Sequence, residues 1–402
     1  MRTRLAILFL TVFLDLLGFG LVIPILPTYA TELGASAFEV GLIAAVYALM
    51  NFIFSPFWGS LSDRVGRRPV IAWTVFITAA AFLLLAHAVT IPLLFAARML
   101  AGIGSANIAA SQAYITDVTP IDRRAKALGM IGAAFGMGFI FGPPVGGFIK
   151  EHYGMEWVGY LAMILSLINL VLVLVLLPES IKQKDPTARI NLRPVTQTIR
   201  ALKRVNIRDL FLTSFTYISA FSMMQVTVAL LWEQHYALSE AAVGYMFAFM
   251  GFMTVIVQGT LIGPLTKSFG EQRLLIYGCV LMGIGLLLTP FVPSHNFIPI
   301  ALGPLILLAL AQGCLMPSIT SLLSRSSGEN EQGQVLGMNQ SFMSLARVVG
   351  PTMGGALYGW HFTSPYVGGA VLMAGTLWLV IAHKGVRRDP SDPNSDRNAL
   401  PS

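Results

Sequence analysis

Three ionisable side chains stand inside long apolar runs: Asp15, Arg98 and Arg347. A charge near the centre of a bilayer costs about 2.5–3.5 kcal/mol even on insertion scales, so a partner or a function must offset it. Asp15 lies roughly 15 Å into the apolar run that opens at Leu5, counted at about 1.5 Å per residue, close to the midplane of a hydrocarbon core about 30 Å thick. It is the one carboxylate so deep in any apolar run. Its chemistry would be to take and release a proton, with burial and a cation such as Arg98 acting on that proton in opposite senses. An ion pair with Arg98 that only locks two helices together is the plainer reading.

Polar and aromatic positions recur at helical spacing around these charges. Arg98 opens a face of Gly102, Ser105, Ala109 and Gln112, small or polar side chains suited to a wet cavity. Tyr47 and Asn51 share a face with Phe54 and Trp58, Phe221 and Gln225 share one with Ser214 and Tyr217, and Gln340 and Arg347 share one with Ser344. Tyr47, Asn51, Ser105, Gln112, Phe221, Gln225, Gln340 and Arg347 are therefore the candidate cavity wall, although aromatic faces also serve ordinary helix packing.

Positioning these groups requires helices that cross a membrane. The 402 residues are 55% hydrophobic and only 11% charged, where a soluble domain carries about a quarter charged residues. Mean hydropathy is +0.72. Apolar runs near spanning length fall at residues 5–29, 38–60, 69–87, 92–116, 127–149 and 156–177, then at 208–232, 240–264, 271–291, 296–323, 332–357 and 363–382. The expected fold is an all-α membrane protein of twelve transmembrane helices in two pseudo-symmetric six-helix bundles, residues 1–177 and 208–383. A polar linker at 178–207 joins the bundles, and a Pro-, Asp-, Asn- and Ser-rich tail at 384–402 is expected to be disordered. Arg2 and Arg4 before an apolar run would suit a signal peptide, but that run is long, contains Asp15 and lacks a small-residue cleavage site, so it reads as a retained first span.

The halves echo each other. Leu128-Gly129-Met130 recurs as Leu336-Gly337-Met338, and Gly142-Pro143 with Gly146-Gly147 recurs as Gly350-Pro351 with Gly354-Gly355. Two copies of one bundle are the simplest explanation. Of the 26 basic residues, all but Lys150, Arg98 and Arg347 fall on one side once the runs are threaded through a membrane. That asymmetry puts both termini and the linker in the cytosol of a cell membrane, the inner membrane in a bacterium, and explains the net charge of +7 without nucleic acid.

Other classes find little support. No GxxxxGK[ST] phosphate loop is present, which argues against an ATP-driven pump. His87, His152, His235, His295, His361 and His383 all fall at or near span ends, which argues against an intramembrane hydrolase and against an enzyme generally. Cys279 and Cys314 stand singly in apolar runs, so neither a disulfide nor a metal site is expected.

Between spans two and three stands Gly59-Ser60-Leu61-Ser62-Asp63-Arg64-Val65-Gly66-Arg67-Arg68, which resembles the loop signature of the major facilitator superfamily. Span five carries Gly138-Phe139-Ile140-Phe141-Gly142-Pro143-Pro144-Val145-Gly146-Gly147, similar to the antiporter motif of that superfamily's drug exporters, and span one carries Leu17-Gly18 and Pro24-Ile25-Leu26-Pro27. The chain thus resembles the twelve-helix drug:proton antiporter family, and in its first half looks most like tetracycline efflux proteins. The resemblance implies a cytosolic gate built on Gly59, Asp63, Arg64, Gly66, Arg67 and Arg68, with Asp117 as the acid at the end of span four. In the second half Lys267 stands in place of Asp63, which implies an asymmetric gate. It also implies an antiport role for Gly138, Gly142, Pro143, Gly146 and Gly147, beside which close helix packing is the plainer reading, and, with proton coupling assigned to Asp15 and Arg98 from their depth, a proton-coupled exporter of lipophilic or amphipathic small molecules. That exporter is expected to work as a monomer without a cofactor, and a metabolite or sugar carrier is the alternative. Tetracycline exporters carry an acid in span three, where this chain reads Ala80-Ala81-Phe82, and span nine also lacks one. A metal-chelated tetracycline is therefore not the expected substrate.

Overall fold

The computed structural model describes residues 2–181, 205–326 and 332–382; most of the expected linker and the tail beyond 382 lie outside the described residues. Twelve helical spans run through them. Span one, Arg2–Val22, breaks at Pro24, whose ring and missing N–H stop a helix, and resumes as Leu26–Glu32 with Pro27 in its first turn. Span two, Ala37–Val65, begins with a capping box in which Ser36 and Glu39 satisfy each other's backbone N–H groups. Spans three, five and six are Arg67–Ala86, Ile121–Tyr153 and Met155–Leu176. Span four is interrupted, Ile91–Gly104 passing through a 3₁₀ turn at Ser105–Asn107 into Ile108–Val118.

In the second half, span seven is Val205–Tyr236, three residues earlier than the sequence suggests. Span eight, from Glu240, passes through a π-helical turn at Val257–Leu261 into a helix that runs on to Leu288. Gly270, at φ 75, divides span eight from span nine within that helix, as Gly66, at φ 120, divides spans two and three. Spans ten, eleven and twelve are Phe297–Arg325, Gln332–Trp360 and Ser364–Ala382. Among the described residues nine stretches are long and apolar enough to cross a membrane by themselves, spans eight and nine counting as one of 52 residues. Interrupted span four and glutamine-rich span eleven complete the twelve.

One buried core fills the second half and two fill the first, one of which takes in Val226 and Leu230 of span seven, and the halves meet along two glycine seams, span five on span eight and span two on span eleven. Small residues permit such seams because helix association in lipid depends on close backbone approach. A Cβ on Gly146 would stand 2.1 Å from the Leu21 carbonyl oxygen in its own bundle, and one on Gly147 would stand 2.3 Å from the Glu240 oxygen in the other. The repeat reproduces both contacts, Gly354 against Met223 and Gly355 against the Ala37 oxygen at 2.2 Å. The span-five motif is thus a two-sided packing strip. Both seams close the end of the molecule away from the basic loops. Towards the basic end, positions such as Gly132, Gly259, Gly263 and Gly337 face open space, and a cavity of about 600 Å³ opens beside Gln258, Met316 and Arg325.

Candidate functional site

At the centre, Asp15 is half-buried, and its Oδ1 accepts a 2.9 Å hydrogen bond from Nδ2 of the fully buried Asn169. The same amide donates to the Thr11 carbonyl at 3.0 Å, which fixes its orientation and presents an N–H to the carboxylate. Arg98 is buried, with its guanidinium carbon 4.3 Å from the centroid of the Tyr47 ring. Phe19 stacks on that ring at 5.1 Å. Asp15 and Arg98 therefore meet around Tyr47, which stands in electrostatic reach of both and of Arg347 from the other bundle.

The remaining wall positions divide. On span four, Gly102 is packing, since a Cβ there would lie 2.4 Å from the Tyr47 carbonyl oxygen, and Ser105 accepts from Asn51 at 3.2 Å. The wet face expected from Arg98 onward is thus closed by span two in its upper part, and among its described side chains only Gln112 is exposed. Gln340 and Arg347 are exposed on span eleven, while Phe221 and Gln225 are half-buried on span seven. Tyr217, beside Arg347, is buried.

The loop motif forms a compact ionic cluster. Arg67 is 7% exposed; its Nη1 lies 2.6 Å from Asp63 Oδ1 and donates to Ser62 Oγ at 2.6 Å, and its Nε donates to Asp117 Oδ2 at 3.1 Å. Ser180 Oγ donates to the same Asp117 oxygen at 2.9 Å, and Arg68 donates to the Leu174 carbonyl. Arg64 is exposed on the rim, and Gly59 is half-buried one helical turn before Asp63. Gly66 is required twice over. Its φ of 120 excludes most side chains, and a Cβ would stand 2.4 Å from Oε2 of Glu179, which receives the backbone N–H groups of Arg67 and Arg68. Every one of these residues lies within the first 181, Glu179 and Ser180 at the very start of the expected linker and the others in the first bundle.

Sequence reasoning missed Glu179 and the second-half counterpart of this cluster. Glu271, just after Gly270, accepts from Arg325 Nη2 at 3.1 Å and from Ser321 Oγ at 2.5 Å. Arg67 after Gly66 pairs with an acid at the end of span four, and Glu271 after Gly270 pairs with a base at the end of span ten, so the second half keeps the clamp with its charges exchanged. The asymmetry is at Glu271 as well as at Lys267.

A third cluster, also missed, lies at the far end. Lys150, its side chain 5% exposed, pairs with Glu32 at 2.7 Å in its own bundle and with Glu240 across the seam. Its Nζ also lies 5.7 Å from the Tyr29 ring centroid, and Glu151 accepts from the Ala241 N–H at 3.0 Å, a second polar bond between bundles. The signal was available, because Lys150 alone of the basic residues falls outside both the basic loops and the apolar runs of the sequence.

The Major Facilitator Superfamily profile matches residues 8–259 and, in an overlapping second match, 210–401. Tetracycline resistance protein, class C, of Escherichia coli is 30% identical over 92% of this chain and 93% of its own length. Multidrug resistance protein 2 of Bacillus subtilis (strain 168) is 29% identical over 98% of each chain. Among solved structures, the human organic anion transporter MFSD10 (TETRAN) superposes with a TM-score of 0.71 at 23% identity, over 94% of this chain and 99% of its own, a likeness of fold. The chain belongs to the major facilitator superfamily, as a bilayer-embedded secondary transporter of a small molecule and not an enzyme, related to the tetracycline- and multidrug-resistance proteins.

Proposed function

We propose that this transporter exports lipophilic or amphipathic small molecules in exchange for protons, its two bundles rocking about the central site. The observation that carries the proposal is the half-buried carboxylate of Asp15, held by Asn169 in electrostatic reach of the Tyr47 wall, so that a proton-binding group and a ligand wall adjoin. Kinship with resistance proteins supports the substrate class. The basic end is the cytosolic end in this reading, and the conformation is inward-facing: the Lys150 cluster and both glycine seams close the outside, and the first bundle's Arg67 clamp is one wall of an open cytosolic gate. Orientation is checked with a single cysteine placed in residues 182–204, both native cysteines being buried. An impermeant maleimide should label it only after permeabilisation, and labelling of intact cells would reverse the topology. The transport assay is accumulation in inside-out vesicles with an acid interior, across a panel of drugs, lipids and sugars. Lipophilic compounds should accumulate and lose their gradient when a protonophore is added. Accumulation of a sugar alone would favour the metabolite carrier, and transport indifferent to the pH gradient would remove proton coupling.

A further inference from the structure

Arg98, Arg347 and Asp15 are the charged side chains deep in the spans, two cations to one anion. An ionised Asp15 answers one of them and leaves a net positive charge where the bilayer makes it expensive. Among the described residues the ion pairs form at Arg67, Lys150, Arg208 and Arg325, all near helix ends, and neither deep arginine takes part. Arg98 is 4% exposed, and its Nε is buried without a hydrogen-bond partner. The Tyr47 face steadies its charge but does not neutralise it. Arg347 differs in being exposed although it stands mid-way along span eleven, with Tyr217 and Tyr47 in electrostatic reach.

A guanidinium offers a planar fork of donors that matches the oxygens of a carboxylate, sulfonate or phosphate and has no acceptor for a cationic amine. We propose that the transported molecule carries such an anionic head, which docks on Arg347 beside Tyr47, with its apolar body against the aromatic wall of Phe19, Tyr47 and Phe139. Phe19 stands 6.3 Å from Phe139, edge to face, which continues the wall towards span five. A bound anion and an ionised Asp15 together set two negative groups against two positive ones. A cationic substrate would instead add a third positive charge. The inference rests on reading this centre as the transport site, and not on the direction of proton exchange.

Pyrenebutyrate, pyrenebutanol and pyrenebutyltrimethylammonium share one aromatic body and differ in the charge of the head. Each is titrated by fluorescence anisotropy into the full-length protein in phosphatidylcholine nanodiscs, with empty nanodiscs as the baseline. Pyrenebutyrate should bind about tenfold or more tighter than the other two, as a charge-assisted hydrogen bond allows. Arg347→Gln should bring the three within about twofold of one another, and Arg347→Lys should restore part of the preference. The proposal is overturned if the ammonium probe binds wild-type protein as tightly as the carboxylate, if the carboxylate shows no saturable binding, or if Arg347→Gln keeps the preference. Should Arg347→Gln not be recovered folded, the wild-type ranking decides alone. The exporter reading fails separately: no proton-driven vesicle transport of any probe, with the carboxylate preference intact, removes that reading and leaves the anion site.

Discussion

Asp15→Asn should reduce proton-driven accumulation in acid-loaded vesicles to the level of empty membranes, while exchange of substrate down its own gradient continues. The substitution keeps size and shape, and the new amide oxygen can still accept the 2.9 Å hydrogen bond from Asn169, so the fold around Thr11 and Asn169 is expected to stand. What disappears is the choice between charged and neutral states. An exchanger converts a pH gradient into a solute gradient only if protonation changes the relative free energies of its loaded and empty states, and a permanently neutral group cannot do that. Uphill transport surviving in Asp15→Asn would return Asp15 to a structural role and move coupling elsewhere.

The second large effect is expected at the loop motif, where Asp63→Asn and Arg67→Ala should each lower turnover about tenfold or more while leaving substrate affinity within about twofold. The reason is distance from the cavity. All of the Arg67 contacts lie at the basic end of the first bundle, so they bias which state the transporter occupies without touching the wall. The two variants should differ in stability. Arg67 is buried and ties Asp63, Asp117 and Ser62 together, so its loss removes three charge-assisted contacts and empties a buried site, although Ser180 still donates to Asp117 and Ser62 to the Gly59 carbonyl. The Asp63 side chain is 49% exposed and its loss costs little, so Arg67→Ala alone should lower the thermal midpoint of purified protein. Wild-type turnover in both variants would reduce the motif to a topological signal.

Spans and seams were legible in the sequence because hydropathy and small-residue spacing act along one helix. The doubled Gly-Pro and Gly-Gly pattern announced two copies of one bundle, and the structure adds that both copies of it pack as strips of close backbone approach. The ionic clusters were less legible, because each joins residues that only tertiary packing brings together: Lys150 with Glu240, Glu179 with the N–H groups of Arg67 and Arg68, Glu271 with Arg325. Glu32 and Glu240 look like ordinary rim acids until the seam closes over them. Glu271 and Arg325 could have been found by carrying Arg67 and Asp117 into the second half, where the residue types exchange and a search for identity fails. The break at Ser105–Asn107 left no signal in hydropathy, since Ser-Ala-Asn is tolerated within a helix and only packing against spans two and three selects the tighter turn.

The reciprocal clamps bear on how the chain is built. Arg67 finds Asp63, Ser62 and Asp117, and its backbone finds Glu179, all within the first 181 residues, while Glu271 finds Arg325 and Ser321 within the second half. A ribosome-bound chain enters the membrane from its N-terminus, and the first six spans can therefore bury their arginine with its partners before span seven has left the exit tunnel. Lys150 is the exception, since Glu240 arrives only with the second half. Until then its ammonium waits beside Glu32, and the late arrival of span eight is what completes the far end of the assembled pair.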